Sequence, residues 1–251
     1  MDNILIIPMA GRGDRMKEIG GNVPKPFIEI DKRVKMFEKS ISCIDRNTYE
    51  KIILCVLKEH LKDNTYFNIV TNFKVKDKKI DIVEIEDVTR GQAETIYKGL
   101  ENISTPDKGL MIFNSDSYFI DAGFIDYIKR LKNEKVDISL NIFKDVNNKW
   151  SFVKIDKKFN VIEIAEKKSI SNYALTGFQY YNSVGLYRNL FEELLSQYSL
   201  SEKKEELDIS SIVDLAIKNK KKITARPVIM FMCYGTPEEY KKYKSNFKYT
   251  F

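Results

Sequence analysis

The stretch from Asn3 to Asp31, NILIIPMAGRGDRMKEIGGNVPKPFIEID, constrains this chain more than any other. Its apolar run Ile4 to Ile7 is rich in β-branched residues and stops at Pro8, the pattern of a buried strand. A loop with Gly11 and Gly13 follows, then the cations Arg15 and Lys25. Glycines let backbone N–H groups approach a phosphate with no Cβ in the way, and successive N–H groups form an anion nest. A guanidinium and an ammonium add full charges suited to a polyphosphate. A dinucleotide fingerprint does not fit. Met16 stands where its third glycine belongs, and Gly20, Gly21 and Pro24 interrupt the helix it needs. A P-loop does not fit either, since the chain has no Gly-Lys-Ser/Thr.

What remains is a glycine-rich loop, an arginine and, after a short gap, Pro-Lys-Pro. Gly11-Arg12-Gly13-Asp14-Arg15 and Pro24-Lys25-Pro26-Phe27 resemble the signature of the sugar-nucleotide nucleotidyltransferases (nucleoside-diphosphate-sugar pyrophosphorylases), which is close to G-x-G-S/T-R followed by P-K-P-L/F. Asp14 replaces the usual hydroxyl residue and removes one contact to the triphosphate. The resemblance runs from residue 3 to residue 243 and is strongest in 5–31, 89–116 and 163–181.

Along the chain, strand and helix patterns alternate. Phe27 to Ile30 reads as a short strand, Met36 to Ile44 as a helix, Lys51 to Leu57 as a strand and Glu59 to Phe67 as a helix. Ile80 to Ile85 and Gly109 to Phe113 are further strands, with a helix over Gln92 to Leu100 between them. This rhythm implies right-handed crossovers and a mostly parallel sheet, with ligands at the carboxyl ends of its strands. The Gly11 loop, the Gly91 turn and Asp116 all fall at such ends. Beyond residue 120 come a helix over Phe124 to Leu131 and a strand over Val136 to Ile142. Trp150 to Ile155 and Asn160 to Ala165 flank a turn and read as an antiparallel pair. A strand over Gly177 to Tyr181 and helices over Leu186 to Leu195 and Ile209 to Ile217 follow, the second capped through Asp208 or Ser210. Ile223 to Met232 is the last strand, and Thr236 caps the final helix with Pro237 behind it. The expected fold is α/β: a Rossmann-like, mostly parallel sheet flanked by helices, with a small antiparallel subregion on the acceptor side. We expect one nucleotidyltransferase domain over 1–251, with a nucleotide-binding half (1–120) and an acceptor-binding half (121–251).

Composition narrows the chemistry. The chain's 251 residues suffice for one sizeable core, and 43% hydrophobic with 12% aromatic content is a globular composition. The apolar runs fall short of the roughly 18 residues a membrane helix needs, and no signal-peptide pattern is seen, so a cytoplasmic protein without a membrane partner is expected. The net charge of +6 is dispersed among lysines. It suits anionic small molecules more than nucleic acid, and Lys203-Lys204 and Lys220-Lys221-Lys222 read as solvated. Cys43, Cys55 and Cys233 are scattered and read as buried thiols. The single histidine, His60, lies in Lys-Glu-His-Leu-Lys-Asp and reads as part of a solvated helix face, which leaves no Ser/His or Cys/His pair.

Asp116 closes an apolar strand in Phe-Asn-Ser-Asp, a place from which one carboxylate can hold Mg²⁺. The family resemblance implies that role for Asp116. It also implies that Ala10, Gly11 and Gly13 cradle the triphosphate and that Gly91, Gln92 and Ala93 meet the nucleobase. On the acceptor side it places Glu166 on the acceptor, Lys167 on the attacking phosphate and Gly177 against the acceptor. The reaction so implied joins a nucleoside triphosphate and a small phosphorylated acceptor, with Arg15 and Lys25 stabilising the departing pyrophosphate. The acceptor is a sugar 1-phosphate or, by a closer resemblance to capsule-pathway cytidylyltransferases, L-glutamine phosphate; CTP is slightly favoured over UTP or dTTP. Many relatives carry a second metal-binding aspartate just before the glycine matching Gly235, where this chain reads Met-Cys-Tyr-Gly. Two other readings stand beside this one. A glycosyltransferase of the same fold would normally show Asp-x-Asp where this chain has Asn114-Ser115-Asp116. A nucleotide-binding subunit without turnover is the other. A homo-oligomer is compatible with all three.

Overall fold

The central strand β1 (Ile4–Met9) alternates its side chains between two cores, Ile4 and Ile6 to one face and Leu5, Ile7 and Met9 to the other. All five are almost fully buried, each contributing on the order of 2 kcal/mol of apolar burial. The structure, a computed structural model, describes residues 1–200 and 206–246. The Lys203-Lys204 pair read as solvated lies outside the described residues.

After β1 the chain makes a single 3-10 turn at Asp14–Met16 and a short helix, α1 (Lys17–Gly20). The expected strand at Phe27 begins later, because Pro24 and Pro26 favour a 3-10 turn over Lys25–Phe27. Pairing starts at β2 (Glu29–Asp31) with β3 (Val34–Lys35). Helix α2 (Met36–Ser42) and strand β4 (Lys51–Leu57) follow. The single helix expected over 59–67 is two, α3 (Lys58–Leu61) and α4 (Asn64–Asn72), divided where the Asp63 carboxylate caps α4 by accepting from Thr65 N at 2.7 Å. Next come β5 (Lys79–Ile85), α5 (Gln92–Leu100) and β6 (Leu110–Ile112).

The second half opens with β7 (Ser117–Ile120), α6 (Phe124–Asn133) and β8 (Ile138–Lys144). The expected antiparallel pair is β9 (Phe152–Ile155) with β10 (Val161–Ala165). Strand β11 (Tyr173–Tyr181), helix α7 (Val184–Leu200) and helix α8 (Ile209–Lys218) follow. The single last strand expected over 223–232 is divided into β12 (Ile223–Pro227) and β13 (Met230–Cys233), which join different sheets. Pro227 has no N–H to carry the ladder on. In α9 (Pro237–Asn246), Thr236 caps as expected: its Oγ1 accepts from Glu239 N at 3.3 Å and donates to Glu239 Oε2 at 3.0 Å.

Strands β5, β4, β1 and β6 lie side by side and parallel. Antiparallel β11 joins β6 to β8, and β12 runs parallel to β8 at the far edge. The β9–β10 hairpin attaches to the start of β11 through Ala174 opposite Phe152. Helices α5, α7 and α8 cover one face, and α2, α4 and α6 the other. The sheet is therefore mostly parallel and flanked by helices, as expected. Its carboxyl ends are crossed by the loops after β1, β5 and β6.

Candidate active site

Lys25 is drawn to the loop after β1 by a glycine. Gly13 has φ +67, and a Cβ on it would sit 2.6 Å from Lys25 Cβ, so only a glycine lets the two segments lie this close. The Lys25 ammonium contacts the carboxylate of Asp116, just beyond β6. Burial works to raise the Asp116 carboxyl. The Lys25 ammonium outweighs it, with help from Ser117 Oγ and the Arg15 charge, and holds the group below the ordinary range.

Two adjoining cavities open around this pair. One, of about 530 Å³, is bounded by the loop after β1 and the start of α5. The other, of about 280 Å³, is bounded by β11, the end of β10 and the start of α8. They share a rim of Arg15, Gln92, Asn114, Asp116 and Gly235. Across that rim Gln92 Nε2 donates to Asn114 Oδ1 at 2.7 Å. A Cβ on Gly177 would strike the same Asn114 carboxamide. A larger cleft of about 830 Å³ lies outside the glycine loop. It mixes acids and bases, and its Lys17 and Lys58 are already paired with Asp14 and Glu86. His60 faces that cleft and is half-buried, which corrects the expectation of a solvated position. The turn of Lys25–Phe27 packs on it, with the Phe27 ring 6.3 Å away and edge-on, and burial lowers the imidazole's pKa.

The structure brings Ala10, Gly11 and Gly13 together with Arg15 and Lys25 around the larger of the adjoining cavities. Gly91, Gln92 and Asp116 close it. Glu166 and Gly177 line the smaller one. Two candidates stand apart. Ala93 is fully buried beneath the turn, its N–H donating to the Leu207 carbonyl at 3.0 Å. Lys167 is in the lining of neither cavity; it is 63% exposed, in a left-handed backbone conformation and 3.7 Å from Glu166. Sequence reasoning assigned no role to Asn114, Gln179 or Glu206. It read Asp208 as a helix cap, but Asp208 stands at the N-cap position of α8 without a side-chain cap bond. Burial, with the charges of Asp116 and Glu239, pushes the Cys233 thiol well up, so the Met-Cys-Tyr run before Gly235 offers a neutral thiol and no carboxylate.

One protein carboxylate with phosphate and water suits Mg²⁺, and Asp116 on the rim is the candidate. Its oxygens now meet Lys25 and, at 3.1 Å, Ser117 Oγ, so the ion would have to displace the ammonium. A neutral thiol is a poor partner for so hard a cation. No group of three or more His, Cys, Asp and Glu that could hold a metal occurs among the described residues. No helix among them is long and apolar enough to cross a membrane.

Fold and site together define a nucleotidyltransferase. The chain belongs to the family described as nucleotidyl transferase, whose model matches residues 4–242. A nucleoside-diphosphate-sugar pyrophosphorylase from Vibrio cholerae RC9 has the same fold, with TM-score 0.79 and 24% identity over 95% of this chain and 98% of that one. So does the inositol-1-phosphate CTP transferase from T. maritima, at TM-score 0.71 and 16% identity over 97% and 94%. A UTP-bound UGPase from Acinetobacter baumannii matches at TM-score 0.76 and 13% identity over 98% and 93%. No curated protein matches the sequence.

Proposed function

We propose that this protein transfers a nucleotidyl group from a nucleoside triphosphate to a small phosphorylated acceptor and releases pyrophosphate. One observation carries the reading: two cavities meet at a rim where Arg15 and Asp116 belong to both and Lys25 lies against Asp116. That is the junction an in-line displacement needs, with donor on one side and acceptor on the other. An oxygen of the acceptor phosphate forms a bond to the α-phosphorus. The α–β bridging bond breaks, and pyrophosphate leaves with its electron pair. The acceptor phosphate is already ionised, so no general base is required.

Arg15 and Lys25 counter the charge that grows on the leaving pyrophosphate, and the glycine loop offers backbone N–H groups to the same oxygens. Asp116 would hold Mg²⁺, which neutralises charge on the bridging oxygens when bound. Gly91 and Gln92 face the base. Glu166 and Gly177 face the acceptor, and Lys167, beside Glu166, would have to swing inward to meet the attacking phosphate. The resemblance to capsule-pathway cytidylyltransferases slightly favours CTP over UTP or dTTP as donor and points to a surface-polysaccharide precursor as product.

The test is pyrophosphate release with Mg²⁺ across CTP, UTP, dTTP, ATP and GTP, against sugar 1-phosphates and L-glutamine phosphate. Release that requires both a triphosphate and a phosphorylated acceptor supports the reading. A triphosphate that binds without release in any combination overturns it in favour of a glycosyltransferase of the same fold or a non-catalytic nucleotide-binding protein.

A further inference from the structure

The acceptor cavity carries more negative charge than it neutralises. Glu166, just beyond β10, and Asp208, just before α8, both line it. Glu166 accepts a hydrogen bond from Ser151 Oγ, and the ammonium near it belongs to the outward-lying Lys167. The Asp208 carboxylate has no hydrogen-bond or ion-pair partner among the described residues. Lys149 also lines the cavity, but it is committed to Glu239 and to the face of Trp150, 4.5 Å from the ring centre. Burial, then the charges of Glu166 and Glu206, push the Asp208 carboxyl up to about 6, with Lys167 opposing them.

Asp208 is not placed there by a loose loop. Leu207 N donates to the Arg90 carbonyl at 3.1 Å, and Ala93 N donates to the Leu207 carbonyl at 3.0 Å. These bonds strap the segment to the start of α5, and the Leu207 carbonyl lies so close to Gly91 that no Cβ would fit.

A second feature of the same cavity points to a ligand. Gln179 is only 3% exposed and lines it. The Tyr181 hydroxyl donates to Gln179 Oε1 at 2.8 Å, which fixes the amide and leaves Nε2 without a partner among the described residues. Nε2 therefore faces the cavity, ready to donate to water or to an oxygen of a bound molecule.

A neutral polyol would give each carboxylate a hydrogen bond and leave their repulsion in place. An ammonium gives up to three hydrogen bonds and a full opposite charge, so it relieves both the desolvation and the repulsion. We propose that the acceptor is a phosphorylated amine, whose protonated amino group sits between Glu166 and Asp208 while a neighbouring oxygen takes the Gln179 amide. This rests on the nucleotidyl-transfer reading and names the acceptor class for it. The ammonium is a recognition element only. Bond making and breaking stay at phosphorus, and the amine neither loses a proton nor forms a bond.

The experiment uses matched pairs that exchange an amine for a hydroxyl: glucosamine 1-phosphate against glucose 1-phosphate, and phosphoethanolamine against 2-hydroxyethyl phosphate. Each is offered with each triphosphate and Mg²⁺ to the full chain and to Asp208→Asn, with pyrophosphate release as the readout. Triphosphate binding by calorimetry shows that the variant is folded. In at least one pair the amine should exceed its hydroxyl partner by about tenfold or more in kcat/KM, and Asp208→Asn should bring that ratio close to one. Hydroxyl partners turned over as well or better would overturn the amine and leave nucleotidyl transfer standing, as would a ratio unmoved by Asp208→Asn. No release from any member, with release from another acceptor of the wider panel, overturns this inference alone; silence across both panels with a triphosphate bound overturns the transfer reading with it.

Discussion

Lys25 has two partners in turn, Asp116 in the structure and the triphosphate in the proposed reaction. Lys25→Met removes the charge and keeps most of the side-chain volume. Asp116 then loses the ammonium that outweighs its burial, and its pKa rises. Because the carboxyl can take up a proton, the fold should survive. Turnover should fall by about a hundredfold or more, in the range seen when one stabiliser of transition-state charge is removed. Pyrophosphate release alongside a circular-dichroism melt checks both parts, and unchanged turnover would remove Lys25 from the mechanism. Asp208 is the opposite case, a residue the fold would do better without. Its carboxyl is pushed up to about 6 in the folded chain, above the ordinary value of 3.8. Folding therefore takes up a proton between those two values. The resulting penalty is absent below the lower value, grows as pH rises through the interval and is complete above the upper one. With allowance for solvent screening, Asp208→Asn should stabilise the unliganded protein at pH 7.5 by about 1–2 kcal/mol. The gain should shrink as pH falls toward 4. Denaturant melts of both proteins across that range test the sign, and a gain that grew at low pH would refute it.

Strand β11 shows how an element shapes the site. Its pairing with β8 passes from Leu175 opposite Ile142 to Gln179 opposite Leu140, so Thr176, Gly177 and Phe178 bulge over Asn141 alone. Gly177 has φ +85 at the bulge and faces Asn114. Gly177→Ala should cost about 1–2 kcal/mol in backbone strain, roughly a few degrees in Tm for a chain of this size. It should also push Asn114 away from Gln92, so KM for both substrates should rise. A thermal melt with steady-state kinetics tests this, and a rise confined to one substrate would show that the rim does not join the two cavities. The apolar runs of β1 and β4, the glycine loop and the strand ending at Asp116 were legible in the sequence because each is a local pattern. The bulge was not, since it exists only in the register between β11 and β8. Nor was the division at Pro227, where two strands join different sheets. Asp208 followed the same rule: its position before α8 reads as a cap, and only packing against the acceptor cavity shows the carboxylate uncommitted.

At the scale of the whole molecule, the parallel half of the sheet borders the cavity proposed for the nucleotide and the antiparallel strands border much of the one proposed for the acceptor, so one tryptophan can tell them apart. Trp150 is the only one in the chain. It lines the acceptor cavity and is absent from the lining of the other. Its indole N–H donates to Asp145 Oδ2 at 3.1 Å, and its ring meets Phe143 and Phe231 edge-on at 5.4 Å and 5.7 Å. These contacts hold the ring while the cavity beside it fills. A bound acceptor replaces water near the indole and alters the field from Lys149, so it should shift or quench Trp150 emission to saturation. A triphosphate alone should leave the emission nearly unchanged, yet raise thermal stability by mass action, about 2.7 kcal/mol at a hundred times its Kd. Two ligands would thus give two separate signals, emission for one half of the sheet and Tm for the other. If a triphosphate alone produced the whole emission change and a turned-over acceptor added nothing, the acceptor would have to bind elsewhere. The division of labour between the two halves of the sheet would then be wrong.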